Sequence, residues 1–225
     1  MCIDRAGINH RDGITHNGVF DVAFLSGLPN VRIYTPATFE ALERALCEAM
    51  MSPHPTAIRY PAGDESEIVK DEFYMDVPNS HIVKGRNLPD DAEIIIVSHG
   101  RIAEEAVKAG EILRSSGVSA GAILLERLTP YAETADGLWK LISQYKSLRK
   151  LVFLEEEIRA GGMGMMLSDE LRRRGRAEKI ELSVIGLAST AVTSVKADGR
   201  AISFSLENGK ISFGTLTVVN ELSIT

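Results

Sequence analysis

Ten residues near the start of the sequence, DGITHNGVFD (12–21), combine two acids, a histidine and two glycines. An imidazole gains and loses a proton near neutral pH, so His16 is suited to acid–base catalysis or to substrate contact at the mouth of a sheet. Asp12 precedes His16 by four residues and could orient the imidazole ring. Alternatively, His16 is a solvated loop residue that caps the next helix, and Asp12 makes an Asx turn with Gly13. The stretch is a candidate catalytic loop with both interpretations open.

Two arginines follow apolar, strand-like runs and stand close to glycines. They are Arg5 in CIDRAG (2–7) and Arg59 in AIRYPAG (57–63). An arginine at a strand end, beside glycine that lets backbone approach, suits bidentate binding of a phosphate group. The alternative for each is an ordinary surface or salt-bridged arginine.

Three further polar features carry weaker signals. The glycines of RAGGMGMM (159–166) do not spell a dinucleotide fingerprint after a first strand, and no P-loop lysine follows, so close helix–strand packing is the favoured interpretation. The acids at 155–157 end a strand, where they could do chemistry, although a solvated strand end is favoured. No metal site is predicted, because metal-ligand spacing is lacking among the remaining histidines, His10, His54, His81 and His99.

Composition indicates an ordinary soluble α/β protein. The chain has 225 residues, of which 44% are hydrophobic and 25% charged, with a net charge of −6. The acidic balance argues against nucleic-acid binding, and no apolar run is long enough to span a membrane. Cys2 and Cys47 form no CxxC pair, and no charged leader precedes an apolar stretch at the start. We expect a cytoplasmic protein.

Alternating strand and helix patterns predict two sheet-forming units. In the first, strands at 30–35 and 56–60 flank a helix that Thr38 caps. Residues 62–91 are rich in charge and read as a linker with one short strand near 81–84. In the second unit, predicted strands and helices alternate without interruption, as expected for a mostly parallel sheet covered by helices. Its predicted strands are 93–98, 118–125, 150–154 and 181–185, and its predicted helices are 102–115, 132–145 and one from the 161–164 glycines to about 174.

The end of the sequence has a different pattern. Two alternating runs, 201–206 and 210–219, flank Glu207-Asn208-Gly209. Asn-Gly between alternating runs is a strong hairpin signal, because both central residues of the turn need positive φ. We predict an antiparallel hairpin.

Taken together, these stretches resemble one family, the 1-deoxy-D-xylulose-5-phosphate synthases, which are thiamine-diphosphate enzymes of the transketolase superfamily. The resemblance covers roughly residues 1–187. In the first unit it is carried by IDRAG, DGITHNGVFD, FLSGLPNVRIYTP and AIRYPAG, and in the second by SHG, LLERLTPYAE, VFLEEEIRAGGMG and VIGL.

The resemblance implies an α/β fold with four parts. Residues 1–66 would be the carboxy-terminal part of a transketolase-like pyrimidine-binding domain, and 67–92 a linker. Residues 93–192 would form a transketolase carboxy-terminal-like domain with a mostly parallel sheet, and 193–225 an atypical tail with a β-hairpin. The family arginine at the position of Ala62 is absent here, and the sequence after VIGL departs from the family pattern.

The resemblance also implies residue roles. His16 matches the active-site histidine that transfers a proton near the cofactor's thiazolium carbon, and Asp12 matches the aspartate of the same loop. Arg5 and Arg59 match the arginines proposed to bind the phosphate of glyceraldehyde 3-phosphate. Relatives condense this substrate with pyruvate, releasing CO₂ and forming 1-deoxy-D-xylulose 5-phosphate for isoprenoid, thiamine and pyridoxal synthesis.

The family's diphosphate and Mg²⁺ motif, GDG…N, and its cofactor-activating glutamate are not found in this sequence. We therefore expect this chain alone to bind neither thiamine diphosphate nor Mg²⁺. One interpretation is an enzyme portion that works as a homodimer or with a partner chain supplying the amino-terminal domain, as in a split transketolase-like enzyme. The other is a non-catalytic, truncated domain that acts at most as an association module.

Overall fold

The structure is a computed structural model that describes residues 1–8, 14–73 and 81–187. It also describes the backbone of five short segments beyond them, 195–197, 200–201, 204–207, 210–213 and 222–224. Asp12 and the Asn208-Gly209 turn lie outside the described residues.

The first unit contains five elements: β1 (Cys2–Ile3), α1 (Asp21–Leu25), β2 (Arg32–Tyr34), α2 (Phe39–Met51) and β3 (Thr56–Arg59). Its strands form a parallel sheet in the order β1-β3-β2, with helices packed on it. The side chain of Thr38 accepts a hydrogen bond from the Ala41 amide and so caps α2, as predicted. The small residues Ala41 and Ala45 of that helix are buried.

The second unit follows along the chain. Its elements are α3 (Glu67–Glu72), β4 (Ile82–Lys84), β5 (Ile94–His99), α4 (Ala103–Ser115), β6 (Ala120–Leu125), α5 (Tyr131–Ile142), β7 (Lys150–Ile158), α6 (Met163–Arg173) and β8 (Glu181–Leu187). The strands form one sheet in the order β4-β6-β5-β7-β8, in which all pairs except β4–β6 are parallel. The central strands are buried on both faces because helices cover them, which accounts for their continuous apolar sequences.

The two units share one hydrophobic core. Val22 and Ile33 of the first unit are fully buried in the cluster that also contains Leu138 and Phe153 of the second. Backbone hydrogen bonds join the units as well, since the Leu128 amide donates to the Ile33 carbonyl at 2.8 Å. The carboxyl ends of β3 and β7 are therefore held in a fixed relation to each other.

The predicted fold class is confirmed, including both parallel sheets and the strand near 81–84. Two details differ. The segment expected to be a linker contains helix α3, which Ser66 caps with its side chain. Strand β7 does not end at 154 but continues to Ile158, because its acidic residues find buried partners. The domain boundaries themselves stay predictions.

The remaining strands lie in the tail. Residues 204–207 pair antiparallel with residues 210–213, with Glu207 opposite Lys210, so the predicted hairpin is confirmed in its strand pairing. The paired segments differ from the predicted runs 201–206 and 210–219, since Glu207 lies in a strand and not in the turn. These strands are β9 (Val195–Ala197), β10 (Arg200–Ala201), β11 (Phe204–Glu207), β12 (Lys210–Phe213) and β13 (Leu222–Ile224). In the part of the chain that the structure describes, every helix is too short or too polar to cross a membrane.

Candidate functional site

The backbone of Gly18 joins the three chain segments that carry Arg5, His16 and Arg59. Its amide donates to the Arg5 carbonyl at 3.0 Å, and its carbonyl accepts from Nη2 of Arg59, also at 3.0 Å. His16 ends a short 3₁₀ turn two residues earlier. The loop after β1, the end of β3 and the histidine loop thus meet at one sheet edge, where parallel strands present their carboxyl ends.

Gly18 is required at this junction for steric reasons. A Cβ atom on it would lie 2.6 Å from the Arg5 carbonyl oxygen and 3.0 Å from the Ala6 Cα atom. Both neighbours are backbone atoms that cannot rotate away. Arg5 itself has a φ of 57°, in the left-handed region that few non-glycine residues occupy.

Arg59 lies at the centre of a buried ionic network. Its Nε donates to Oδ2 of Asp21 at 2.8 Å, its Nη1 lies 2.5 Å from Oε1 of Glu157, and its Nη2 binds Gly18 and Asp21. Only 3% of the residue is exposed. The guanidinium therefore joins β3 to α1 of its own unit and to β7 of the other.

The three consecutive glutamates at the end of β7 face different partners. Glu157 binds Arg59 and lies 3.1 Å from Nε2 of His99, the last residue of β5. Glu156 accepts a hydrogen bond from the Ile8 backbone, in the loop that carries Arg5. Glu155 accepts from the Gly164 amide at the start of α6, where a carboxylate suits the helix dipole. This acidic run is a junction between the two units.

Burial and neighbouring charges shift these carboxyl groups in opposite directions. Burial raises the pKa of Glu155 to about 8, and the charge of Glu157 adds to that effect. Burial would also raise the pKa of Glu157, but Arg59 and His99 outweigh it and lower the pKa to about 2. Glu157 is therefore ionised at neutral pH, whereas Glu155 holds a proton there for much of the time.

The predicted residues differ in accessibility. Arg5 lies in the loop after β1, its guanidinium 2.5 Å from the Asp4 carboxylate, and remains partly exposed. His16 is exposed, with Nδ1 2.9 Å from the Thr15 hydroxyl. The nitrogens of Arg59 are all engaged by Asp21, Glu157 and Gly18, so an anion would have to displace a carboxylate to reach it. The roles of Asp12, His16, Arg5 and Arg59 stay predictions.

Sequence reasoning missed part of the site. The acids at 155–157 were interpreted as a solvated strand end, which is wrong: Glu155 and Glu157 are buried. Asp21 and His99 were also given no role. The available signal was three acids placed between an apolar strand and a glycine-led helix. Close packing by the 161–164 glycines is confirmed, because a Cβ on Gly164 would lie 2.8 Å from Cβ of Phe153.

A cavity just beyond the end of β3 does not suit thiamine diphosphate. It has a volume of about 280 Å³ and is lined by three carboxylates and one guanidinium. An anionic diphosphate would be repelled there. The charged lining residues are Asp64, Glu65, Glu104 and Arg101.

Comparison with known proteins gives a consistent family signal. Residues 1–64 match the family described as "Transketolase, pyrimidine binding domain". The 1-deoxy-D-xylulose-5-phosphate synthases of Clostridium tetani and Halothermothrix orenii are 34% and 31% identical to this chain, over 76% and 73% of its length. The synthase of Desulforudis audaxviator is 31% identical over 83%. The aligned parts are only 26%, 24% and 28% of those relatives, so the chain spans about a quarter of their length.

Solved structures support the fold. One described as "Split gene transketolase, inactive beta4 tetramer" matches with a TM-score of 0.63 and 22% identity, over 83% of this chain and 56% of that one. Transketolase from Campylobacter jejuni matches with a TM-score of 0.62 and 14% identity, over 84% of this chain and 26% of that one. At these identities the likeness shows a shared fold.

The junction at Gly18 makes a prediction about stability. We expect Gly18→Ala to lower the free energy of unfolding by about 1–3 kcal/mol, because the new methyl group collides with backbone. Gly27→Ala is the matched control, since its Cβ would meet only the Phe24 carbonyl at 3.6 Å and should change stability by less than about 1 kcal/mol. Urea denaturation followed by circular dichroism measures both. Equal effects of the two substitutions would contradict the steric argument.

Proposed function

We propose that this chain, which is related to the 1-deoxy-D-xylulose-5-phosphate synthases over about a quarter of their length, forms part of such an enzyme. The reaction would join pyruvate to glyceraldehyde 3-phosphate, with loss of CO₂. The observation that supports this best is the meeting of the Arg5, His16 and Arg59 segments around Gly18, together with the family relationship.

In this proposal the chain acts on the acceptor substrate. Arg5 would bind the phosphate of glyceraldehyde 3-phosphate, because its guanidinium is partly exposed. The loop that carries Arg5 is held in place by the hydrogen bond from the Ile8 backbone to Glu156. His16 would move a proton to or from the acceptor carbonyl oxygen, with Asp12 orienting the ring. Arg59 would contact the same phosphate only if a carboxylate partner moved away, and otherwise it positions the Gly18 backbone.

The cofactor would be held elsewhere. Thiamine diphosphate, when bound, supplies the carbon nucleophile that the protein cannot make from its side chains. Because the described cavity is acidic, we propose that the diphosphate and Mg²⁺ are held by residues of a partner chain. The active species would then be a split enzyme, whether or not this chain also forms a homodimer, and would be located in the cytoplasm.

A second candidate function is a non-catalytic association module. The observation that favours it is the apolar surface of α1 and the residues beside it. Phe20, Phe24 and Leu28 are 47%, 61% and 52% exposed, which is a large apolar area for a free surface. Association and catalysis are compatible if the partner supplies the cofactor site.

Phosphate binding tests the role of Arg5. We expect glyceraldehyde 3-phosphate and inorganic phosphate to bind the chain, and Arg5→Ala to weaken both at least about tenfold through the loss of a charge-assisted contact. Arg173→Ala is the matched control, because Arg173 lies at the far end of α6 and is exposed. Isothermal titration calorimetry measures the affinities. The assignment would be wrong if wild type bound neither ligand, or if the two variants behaved alike.

Product formation separates the two candidate functions. We expect the purified chain, supplied with thiamine diphosphate, Mg²⁺, pyruvate and glyceraldehyde 3-phosphate, to form no 1-deoxy-D-xylulose 5-phosphate by itself. Addition of a protein that carries the GDG…N segment should restore product, and His16→Gln should lower that restored rate by at least about a hundredfold. Product from the chain alone would refute the claim that its cofactor site lies elsewhere. Binding of the added protein to the chain without product formation would favour the association module.

A further inference from the structure

Three buried side chains from two strands converge where the sequence offered no metal-ligand spacing. His99 ends β5, and Glu155 and Glu157 lie near the end of the adjacent strand β7. One ligand-type atom from each lies within 4.8 Å of the other two. All three residues are 3% exposed or less. Strand pairing, which brings distant sequence positions side by side, is what assembles the group.

Three polar atoms of this group have no hydrogen bond within the described ranges, although Glu155 accepts one from the Gly164 amide. Among the described residues, neither ring nitrogen of His99 has a hydrogen-bond partner, and neither does Oε2 of Glu157. Nε2 and Oε2 are 3.1 Å apart, yet their geometry does not make a hydrogen bond. Buried polar atoms seldom stay unsatisfied without a reason. Two ligand atoms bound about 2 Å from one ion, at an angle of about 100°, have this separation.

Charge balance points in the same direction. Five ionisable side chains are buried together: Asp21, Arg59, His99, Glu155 and Glu157. Three buried carboxyl groups, those of Asp21, Glu155 and Glu157, therefore share one guanidinium. Because isolated charge is costly in a protein interior, ionisation of both glutamates calls for a second cation beside them. Arg59 occupies Oε1 of Glu157, which leaves Oε2 for a second cation.

We propose that His99, Glu155 and Glu157 bind one divalent first-row transition-metal ion, with zinc as the best match. Imidazole nitrogen and carboxylate oxygen are both ligand types that Zn²⁺ accepts. The three ligand atoms lie within 4.8 Å of one another, and a bound ion would draw them toward tetrahedral separations of roughly 3.3 Å. Arg59 acts from outside the ligand set by fixing the Glu157 carboxylate. The site is separate from the synthase reaction proposed above and would join β5 to β7 within the second unit.

Metal binding by the whole chain tests the proposal. The chain is unfolded in urea with EDTA, dialysed, and refolded with or without Zn²⁺ alone, so that burial of the site does not prevent entry. We expect one tightly held Zn²⁺ per chain by elemental analysis and a higher thermal midpoint in the metal-loaded protein. Refolding with Co²⁺ should give visible absorption bands characteristic of a low-symmetry nitrogen and oxygen ligand set.

Matched variants assign the ion to the site. His99→Gln and Glu155→Gln should each weaken Zn²⁺ binding at least about tenfold and abolish the Co²⁺ bands, whereas His54→Gln, on the connection between α2 and β3, should change neither. If one ligand variant does not fold, the metal affinity of the other variant and the Co²⁺ spectrum of the wild type test the assignment. Wild type that refolds without retaining metal, or ligand variants that bind as wild type does, would overturn the proposal.

Discussion

The burial of one guanidinium is the interaction on which the rest of this structure depends. Arg59 is removed from water at the end of β3, and Asp21 and Glu157 compensate its charge from opposite sides. Loss of one partner from such a pair costs about 3–5 kcal/mol, since the other charge is left buried and unpaired. Both carboxylates must therefore stay in place, and one of them belongs to the second unit. The ionic contact fixes how the two sheets meet.

This constraint extends to the loop that carries the candidate chemistry. The third partner of Arg59 is the Gly18 carbonyl, and the Gly18 amide in turn holds the Arg5 carbonyl. Arg5 adopts a left-handed backbone conformation and leads into Gly7, beside which Glu156 packs. The buried charges thus position an exposed arginine and an exposed histidine. A rigid, buried frame that presents accessible groups is the arrangement that positioning of a substrate requires.

The fold could be predicted from sequence because local signals were strong. The Thr38 cap, the continuous apolar run of β5 and the alternating pattern of the hairpin each depend on neighbours in the chain. The acidic run at 155–157 could not be interpreted in the same way, since its partners come from β3, β5 and the loop after β1. Arg59 shows the limit most clearly. Its type and place suggested a phosphate ligand, whereas the pairing that occupies it depends on Asp21 and Glu157, which only the tertiary structure brings near.

The coupling between Arg59 and Glu157 is the most direct test of this account. A double-mutant cycle in chelator-treated buffer would compare Arg59→Met, Glu157→Gln and the double variant by urea unfolding, with the exposed Lys150–Glu181 pair as a reference. The account predicts a coupling free energy of at least about 2 kcal/mol for the buried pair, against about 0.5 kcal/mol for the exposed one. Additive effects at Arg59 and Glu157 would contradict it.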